Sequence, residues 1–274
     1  MGKFNAALLQ MKIVNDKEKN IDEAVKLIEK VANEGADIAI LPEMFCCPYN
    51  NYYFKAFAEE VGGMAYERIQ EAARKNKIYV VAGTIPELEN NLIFNTAYVF
   101  NRDGLQVAKH RKMHLFDIDV KGGQYFKESD TFTPGNKVTV FETEFGKIGI
   151  EICFDVRFPE LSRLTVEEGA EVIIIPGAFN MTTGPAHWEL LFRSRALDNQ
   201  VYTIGVAPAR DLQSSYHSYG NSLVVSPWGN VLNRMDEQEG YIIQEIDLNY
   251  VQKVREEIPV LKNRRKDIYT LKMN

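Results

Sequence analysis

The sequence predicts an α/β fold, a four-layer α-β-β-α sandwich built from two similar β/α halves. Residues 34–42 (EGADIAILP) recur as residues 168–176 (EGAEVIIIP), and the segment 78–81 (IYVV) is matched in the same order by 201–204 (VYTI). Continuous apolar strands must be covered on both faces, so two sheets, each with helices on one side, should pack against each other. A single doubly wound sheet is the alternative, but no Gly-x-Gly-x-x-Gly segment follows the first strand.

The first half should contain a helix, two buried strands and a hairpin, in that order. Apolar residues at helical spacing between positions 21 and 32 predict an amphipathic helix. Residues 38–41 and 78–81 are short apolar runs typical of buried strands. Asp103-Gly104 is a hairpin turn, and the strand 105–108 should continue from it.

The second half should repeat this order of elements after a strand of its own. Alternating isoleucines in residues 147–152 predict a strand, and the following helix should start at Pro159, since proline is favoured in the first helical turn. The buried strands 172–175 and 201–204 come next. Trp228-Gly229 supplies the second hairpin turn.

No stretch rich in Pro, Gly or Ser separates the two halves. We therefore expect one domain over residues 1–274. Residues 250–274 are charged and should form a C-terminal helix followed by an arm, which packs on its own surface or on a neighbouring subunit.

Composition narrows the class of protein. The net charge of -6 provides no basic surface for a phosphate backbone, so nucleic acid is not an expected partner. The N-terminal apolar stretch is too short for a signal peptide or a membrane span. Three cysteines, two of them adjacent at 46 and 47, fit neither a disulfide framework nor a zinc site. We expect a soluble cytoplasmic protein with reduced thiols, no membrane association and no structural metal.

Cys153 lies where the strand 147–152 meets the predicted helix. Strand, tight turn and helix form a nucleophile-elbow geometry that would expose the thiol at the edge of the sheet. A lone cysteine is more often a buried packing residue, so other groups must support a chemical role.

Glu43 and Lys112 supply those groups. Glu43 directly follows a buried strand, and the equivalent position of the repeat is Gly177, so the fold itself does not require an acid there. Lys112 follows the strand 105–108 in a basic run, which alone would indicate a solvated surface. The three groups fit one reaction. The carboxylate can take the thiol proton, the thiolate can attack a carbonyl or nitrile carbon, and the ammonium can stabilise the resulting oxyanion.

The order Leu-Pro-Glu (41–43), His-Arg-Lys-x-His-Leu-Phe (110–116) and Ile-Cys-Phe-Asp-x-Arg-Phe-Pro-Glu (152–160) resembles the nitrilase superfamily of carbon-nitrogen hydrolases over essentially the whole chain. The resemblance implies a catalytic triad and a second glutamate that positions substrate and lysine. These roles map onto Glu43, Lys112, Cys153 and Glu128. It also implies the α-β-β-α sandwich and a homodimer or larger homo-oligomer.

Segments 111–119, 176–189 and 255–260 are similar to the omega-amidase branch. That resemblance implies hydrolysis of the terminal amide of alpha-ketoglutaramate and alpha-ketosuccinamate through a cysteine thioester, with release of ammonia and with no metal or organic cofactor.

The residues near the nucleophile suit such a substrate. Arg157 can bind a carboxylate with its planar fork, Thr183 can donate from its hydroxyl, and Phe179 can form a wall of the pocket. Phe154 stands where the family more often has tyrosine, but its backbone N-H would still stabilise the oxyanion. A structural ion pair is the alternative role for Arg157.

Three other interpretations remain open from sequence. A Cys-His hydrolase would use His114 or His187 in place of Lys112. Another amidase branch would act on deaminated glutathione, carbamoyl compounds or nitriles. A protein of a different class would use the same fold for binding without catalysis.

Overall fold

The computed structural model describes residues 2–274. The strands, in chain order, are β1 (Lys3–Gln10), β2 (Ile38–Ile40), β3 (Tyr79–Val81), β4 (Ile85–Glu89), β5 (Leu92–Phe100), β6 (Gln106–Arg111), β7 (Asp117–Asp119), β8 (Tyr125–Lys127), β9 (Thr139–Glu142), β10 (Lys147–Ile150), β11 (Val172–Pro176), β12 (Tyr202–Val206), β13 (Leu223–Val225), β14 (Val231–Arg234) and β15 (Gly240–Asp247). The α-helices are α1 (Lys17–Asn33), α2 (Asn51–Ala56), α3 (Met64–Asn76), α4 (Pro159–Glu167), α5 (Gly184–Asn199) and α6 (Leu248–Glu257).

Two sheets form the middle of the molecule. The first has the order β15-β1-β2-β3-β5-β4, with β6 also paired to β5, and the second has the order β14-β13-β12-β11-β10-β9. In each, three parallel strands lie side by side, β1-β2-β3 and β10-β11-β12. The repeated segments therefore occupy equivalent strands, as the sequence predicted.

Alternation along β1 shows how the layers pack. Ala6 and Leu8 belong to the apolar cluster shared with the second sheet, which includes Ile174. Ala7 and Leu9 point to the other face and pack in the cluster that contains Ile21 of α1. Successive side chains of a strand point to opposite faces of its sheet, so β1 is buried on both faces. One face packs on the other sheet and the other face packs on a layer of helices. The α-β-β-α sandwich is confirmed.

Two predicted strand boundaries were wrong. β10 ends at Ile150, because the N-H of Ile152 donates to the carboxylate of Asp155 at 3.0 Å instead of to a neighbouring strand. β6 extends to Arg111, which pairs with Thr96 of β5. The longer β6 places Lys112 immediately beyond the end of the strand.

The C-terminal segment consists of α6 and an arm of turns and irregular chain over residues 258–274. The arm contacts its own chain, since Arg264 pairs with Glu167 of α4 and the side chain of Gln200 donates to the carbonyl of Ile258. Among residues 2–274, no helix is both long enough and apolar enough to span a bilayer.

Candidate active site

Cys153 sits in a strained backbone conformation. Its φ is 47°, in the left-handed region that residues with a Cβ rarely adopt, and it begins a 3₁₀ turn that spans Cys153–Arg157. The helix α4 starts at Pro159 directly after this turn. The structure thus has the strand, sharp turn and helix of a nucleophile elbow around a buried thiol.

The carboxylate of Asp155 holds this turn in place. It accepts hydrogen bonds from the N-H of Ile152 at 3.0 Å, from the N-H of His114 at 2.9 Å and from Nδ1 of His114 at 2.8 Å. Burial opposes ionisation, but the hydrogen bonds from His110 and His114 outweigh it and hold the pKa of Asp155 below its usual range. His114 therefore bonds to the turn beneath the nucleophile.

Glu43 lies in a tight turn just beyond β2. Gly83 has a φ of 38°, and a Cβ there would lie 2.1 Å from the carbonyl oxygen of Pro42, so the close approach of the two segments requires glycine. The N-H of Met44 donates to Oγ1 of Thr84 at 2.9 Å. These contacts fix the backbone on both sides of Glu43.

Lys112 lies between two carboxylates. Its Nζ is 2.9 Å from Oε1 of Glu43 and 2.8 Å from Oε2 of Glu128. All three side chains are fully buried. Burial favours the neutral amine, but the charges of Glu128 and Glu43 outweigh it and raise the pKa of Lys112, so the side chain stays an ammonium.

Two further polar side chains complete this buried network. The hydroxyl of Tyr49 donates to Oε1 of Glu128 at 2.7 Å, and Nδ2 of Asn95 donates to Oε1 of Glu43 at 2.9 Å. The N-H of Phe116 also donates to Oε2 of Glu128 at 2.6 Å. Each carboxylate thus has several donors, which buried charges need.

Glu43 links this network to the nucleophile. Its Oε2 accepts from the N-H of Ala178 at 2.8 Å, and its charge acts on the nearby Cys153 thiol. Burial, together with the negative charge of Glu43, raises the pKa of the Cys153 thiol well above its usual range. Burial also raises the pKa of Glu43. The arrangement is a protonated thiol beside a carboxylate that can accept its proton.

A small cavity lies beside Cys153. It is lined by the nucleophile and by the four residues that the sequence suggested for substrate binding: Phe154, Arg157, Phe179 and Thr183. The Thr183 hydroxyl donates to Oδ1 of Asn180 at 3.1 Å, so it would have to turn away from Asn180 to donate to a ligand.

Arg157 has no carboxylate within 4.0 Å among residues 2–274, so the structural ion pair considered from sequence is absent there. Its guanidinium lies 5.4 Å from the ring centre of Phe154 and 4.9 Å from that of Phe179. Burial lowers the pKa of Arg157, as expected for a cation without a counter-charge. The cavity therefore presents a positive charge to a ligand.

A second cavity lies beside Glu43. Its walls include Cys47, Tyr49, Ala178 and Tyr216. Cys46 and Cys47 are both buried free thiols. Cys46 packs in the core, whereas Cys47 forms part of the wall of this cavity.

The structure does not support a histidine in place of Lys112. Within the described part of the chain, the recorded hydrogen bonds of His114 go to Asp155, and Nδ1 of His187 contacts Nη1 of Arg157 at 3.1 Å. Neither ring forms a hydrogen bond with Cys153 within the described residues. No group of three His, Cys, Asp or Glu side chains in residues 2–274 is arranged to hold a metal ion.

Sequence reasoning missed Tyr49, Asn95 and Asp155 as parts of the site. Asn95 carried a usable signal, because asparagine is disfavoured inside an apolar strand such as β5 unless it has a buried partner. Tyr49 lies in a loop segment without periodicity, and nothing local marks its hydroxyl as buried.

Comparison with known proteins identifies the family of the chain. Residues 5–256 match the family model described as carbon-nitrogen hydrolase. The omega-amidase NIT2 of Xenopus tropicalis is 47% identical over 271 residues, covering 99% of this chain and 98% of the relative. The human omega-amidase NIT2 is 44% identical over 273 residues, covering 100% and 99%.

Solved structures show the same similarity. Saccharomyces cerevisiae Nit3, a member of branch 10 of the nitrilase superfamily, superposes with a TM-score of 0.88 at 41% identity, covering 96% of this chain and 97% of that one. The C. elegans NitFhit protein superposes with a TM-score of 0.91 at 35% identity, covering 100% of this chain and 68% of that one. The predicted superfamily and branch are confirmed: the chain belongs to the carbon-nitrogen hydrolase family, as an enzyme of its omega-amidase branch.

Proposed function

We propose that this enzyme hydrolyses the terminal amide of small dicarboxylate monoamides, such as alpha-ketoglutaramate and alpha-ketosuccinamate, through a thioester on Cys153. One observation carries the proposal. The cavity that the Cys153 thiol lines is also lined by the guanidinium of Arg157, which has no carboxylate partner within residues 2–274. A substrate with an amide at one end and a carboxylate at the other matches these two groups, and the names of the omega-amidase relatives agree.

Acylation starts from the neutral thiol, since the pKa of Cys153 is raised. Glu43 takes the thiol proton while the sulfur bonds to the amide carbon, and the carbonyl oxygen becomes an oxyanion. Glu43 then gives this proton to the amide nitrogen. The carbon-nitrogen bond breaks, ammonia leaves, and the acyl group remains on Cys153 as a thioester.

Deacylation uses the same carboxylate with water. Glu43 removes a proton from water as the oxygen attacks the thioester carbon, and the second tetrahedral intermediate collapses with loss of the Cys153 sulfur. Glu43 returns the proton to that sulfur. The products are the dicarboxylic acid and the free thiol, so each cycle consumes one water and releases one ammonia.

The oxyanion in both steps is stabilised by Lys112 and by the backbone N-H of Phe154. Nζ of Lys112 lies 2.9 Å from Oε1 of Glu43, 2.8 and 3.0 Å from the two oxygens of Glu128, and 3.5 Å from the oxygen of Tyr49. The long contact with Tyr49 is the weakest of these, so an oxyanion, which is a stronger acceptor than a hydroxyl, can replace it. Each such donor is worth roughly 100- to 1000-fold in rate.

Substrate profiling tests the proposal. We expect ammonia release from alpha-ketoglutaramate with a higher kcat/KM than from pentanamide, a neutral amide with the same five-carbon chain. Replacing Arg157 with methionine should lower kcat/KM for alpha-ketoglutaramate by roughly 30-fold or more and affect pentanamide much less. If deaminated glutathione, a carbamoyl compound or a nitrile is hydrolysed while alpha-ketoglutaramate is not, the substrate assignment is wrong.

We also propose that two copies of the chain associate in the cytoplasm. Leu197, Trp228, Ile258 and Val260 are partly exposed and line one groove at the junction of α5, α6 and the arm. Contiguous apolar side chains of this kind favour a protein contact. All three cysteines are free thiols, which fits a reducing compartment. Light scattering should give the mass of a dimer, and Leu197→Lys should shift it to the monomer.

A further inference from the structure

We propose that His187 is a positioning residue that selects which edge of the Arg157 guanidinium receives the substrate carboxylate. This inference rests on the proposed function, because it assumes that the substrate carries a carboxylate at this end. It assigns a role to a side chain outside the catalytic network of Glu43, Lys112, Glu128 and Cys153.

The direction of the hydrogen bond between the two residues is fixed by their chemistry. Nη1 of Arg157 lies 3.1 Å from Nδ1 of His187. A guanidinium has donors and no acceptor, so Arg157 donates and Nδ1 of His187 must accept. The ring proton of a neutral His187 then lies on Nε2.

This bond leaves one complete edge of the guanidinium for a ligand. Nε of Arg157 is buried and has no hydrogen-bond partner, and no bond to Nη2 is recorded within residues 2–274. Nε and Nη2 lie on the same side of the planar group, with their N-H bonds nearly parallel. Two parallel donors match the two oxygens of a carboxylate in a bidentate pair.

The rings of Phe154 and Phe179 lie 5.4 Å and 4.9 Å from the guanidinium carbon and restrict its position. A cation–π contact is directed at the face of a ring and does not by itself distinguish the N-H groups along the edges of the guanidinium. The bond from Nη1 to His187 is the directional contact. It directs the edge formed by Nε and Nη2 away from α5.

The helix α5 holds His187 firmly. The N-H of His187 donates to the carbonyl of Thr183 at 2.9 Å, which closes the first turn. The next residue, Trp188, is fully buried and donates from Nε1 to the carbonyl of Asn221 at 2.8 Å. The imidazole therefore projects from an anchored turn, although the ring itself is exposed.

The test compares His187→Ala with His187→Asn, whose side-chain oxygen retains an acceptor close to the position of Nδ1. The measured quantity is the ratio of kcat/KM for alpha-ketoglutaramate to kcat/KM for pentanamide. We expect His187→Ala to lower this ratio about tenfold, mainly through a higher KM for alpha-ketoglutaramate. His187→Asn should recover most of the loss. Ala186→Ser, an exposed change in the same turn, is the matched control.

Three results would overturn the inference. An unchanged ratio in His187→Ala would show that the guanidinium needs no partner on α5. Equal losses on both amides would indicate a purely structural role for the turn. If the wild-type enzyme does not prefer alpha-ketoglutaramate over pentanamide, both the proposed substrate class and this inference are wrong. If the wild type shows this preference and His187→Ala keeps it, only the role of His187 is wrong.

Discussion

Nζ of Lys112 lies 2.9 Å from Oε1 of Glu43, and neither side chain is exposed to solvent. Glu128 approaches the same ammonium from another side at 2.8 Å. One cation thus serves two buried carboxylates, and its removal would leave two negative charges facing each other in the interior. The stability of the fold and the chemistry of the site therefore depend on the same side chain.

Replacing Lys112 with methionine should destabilise the protein by about 3–5 kcal/mol, because it leaves buried carboxylates unpaired. Loss of the oxyanion donor should also lower kcat roughly 100- to 1000-fold. Urea unfolding and ammonia release below the unfolding transition would measure the two effects separately. Lys26→Met, at an exposed position of α1, is the control. A Lys112→Met enzyme as stable as the wild type would contradict the arrangement described above.

Replacing Cys153 with alanine should lower kcat by about four orders of magnitude or more, because no other thiol lines this cavity. Intact-protein mass spectrometry after rapid quenching should show an acyl adduct in the wild type and none in the variant. Cys47→Ala removes another buried thiol and should still form the adduct. An adduct that persists without the Cys153 sulfur would exclude the thioester at this position.

Replacing Tyr49 with phenylalanine removes the hydroxyl that donates to Glu128 at 2.7 Å. A hydrogen bond to a charged group contributes about 1.5–3 kcal/mol, so the free energy of unfolding should fall by that amount. Tyr52→Phe, on an exposed side chain of α2, should have no measurable effect. Equal stabilities for the two variants would show that the Tyr49 hydroxyl does not support the network.

Glu151 predicts a pH dependence of stability. Burial, followed by the negative charge of Asp155, raises the pKa of Glu151 to about 8. The unfolded chain ionises this group near its ordinary pKa of about 4.3, so the folded state holds an extra proton between these values and loses stability as the pH rises. Below pH 4 the contribution of Glu151 is fully present, and it is lost as the pH approaches 8.

Glu151→Gln should remove this loss. The difference in unfolding free energy between variant and wild type should move in favour of the variant from pH 5 to pH 8, as measured by urea unfolding at several pH values. The bond that Ser162 donates to Glu151 at 3.0 Å can be retained by the amide oxygen. Parallel stability curves for the two proteins would show that Glu151 does not retain a proton in the folded state.

The repeat made the architecture predictable, because the strands that contain Ile40 and Ile174 are apolar on both faces and must lie inside a layered fold. The acid at Glu43 was also visible, since its repeat partner is Gly177. These signals are local in sequence.

Long-range contacts could not be predicted in the same way. Asn95 reaches Glu43 across 52 positions, and the N-H of Ala178 reaches it across 135. The strand boundary at Ile150 depends on the side chain of Asp155, which competes with the sheet for the N-H of Ile152. Such competition is decided by tertiary geometry and leaves no periodic pattern.

The left-handed backbone of Cys153, with its φ of 47°, has a consequence for evolution. At an ordinary position alanine is more stable than glycine by about 0.5–1 kcal/mol, whereas a strained position of this kind costs about 1–3 kcal/mol for any residue with a Cβ. The usual order should be reversed here, with glycine the better tolerated of the two. Selection for stability alone would therefore favour glycine at this position. Only the proposed catalytic role of the thiol would keep cysteine there in spite of its strained backbone.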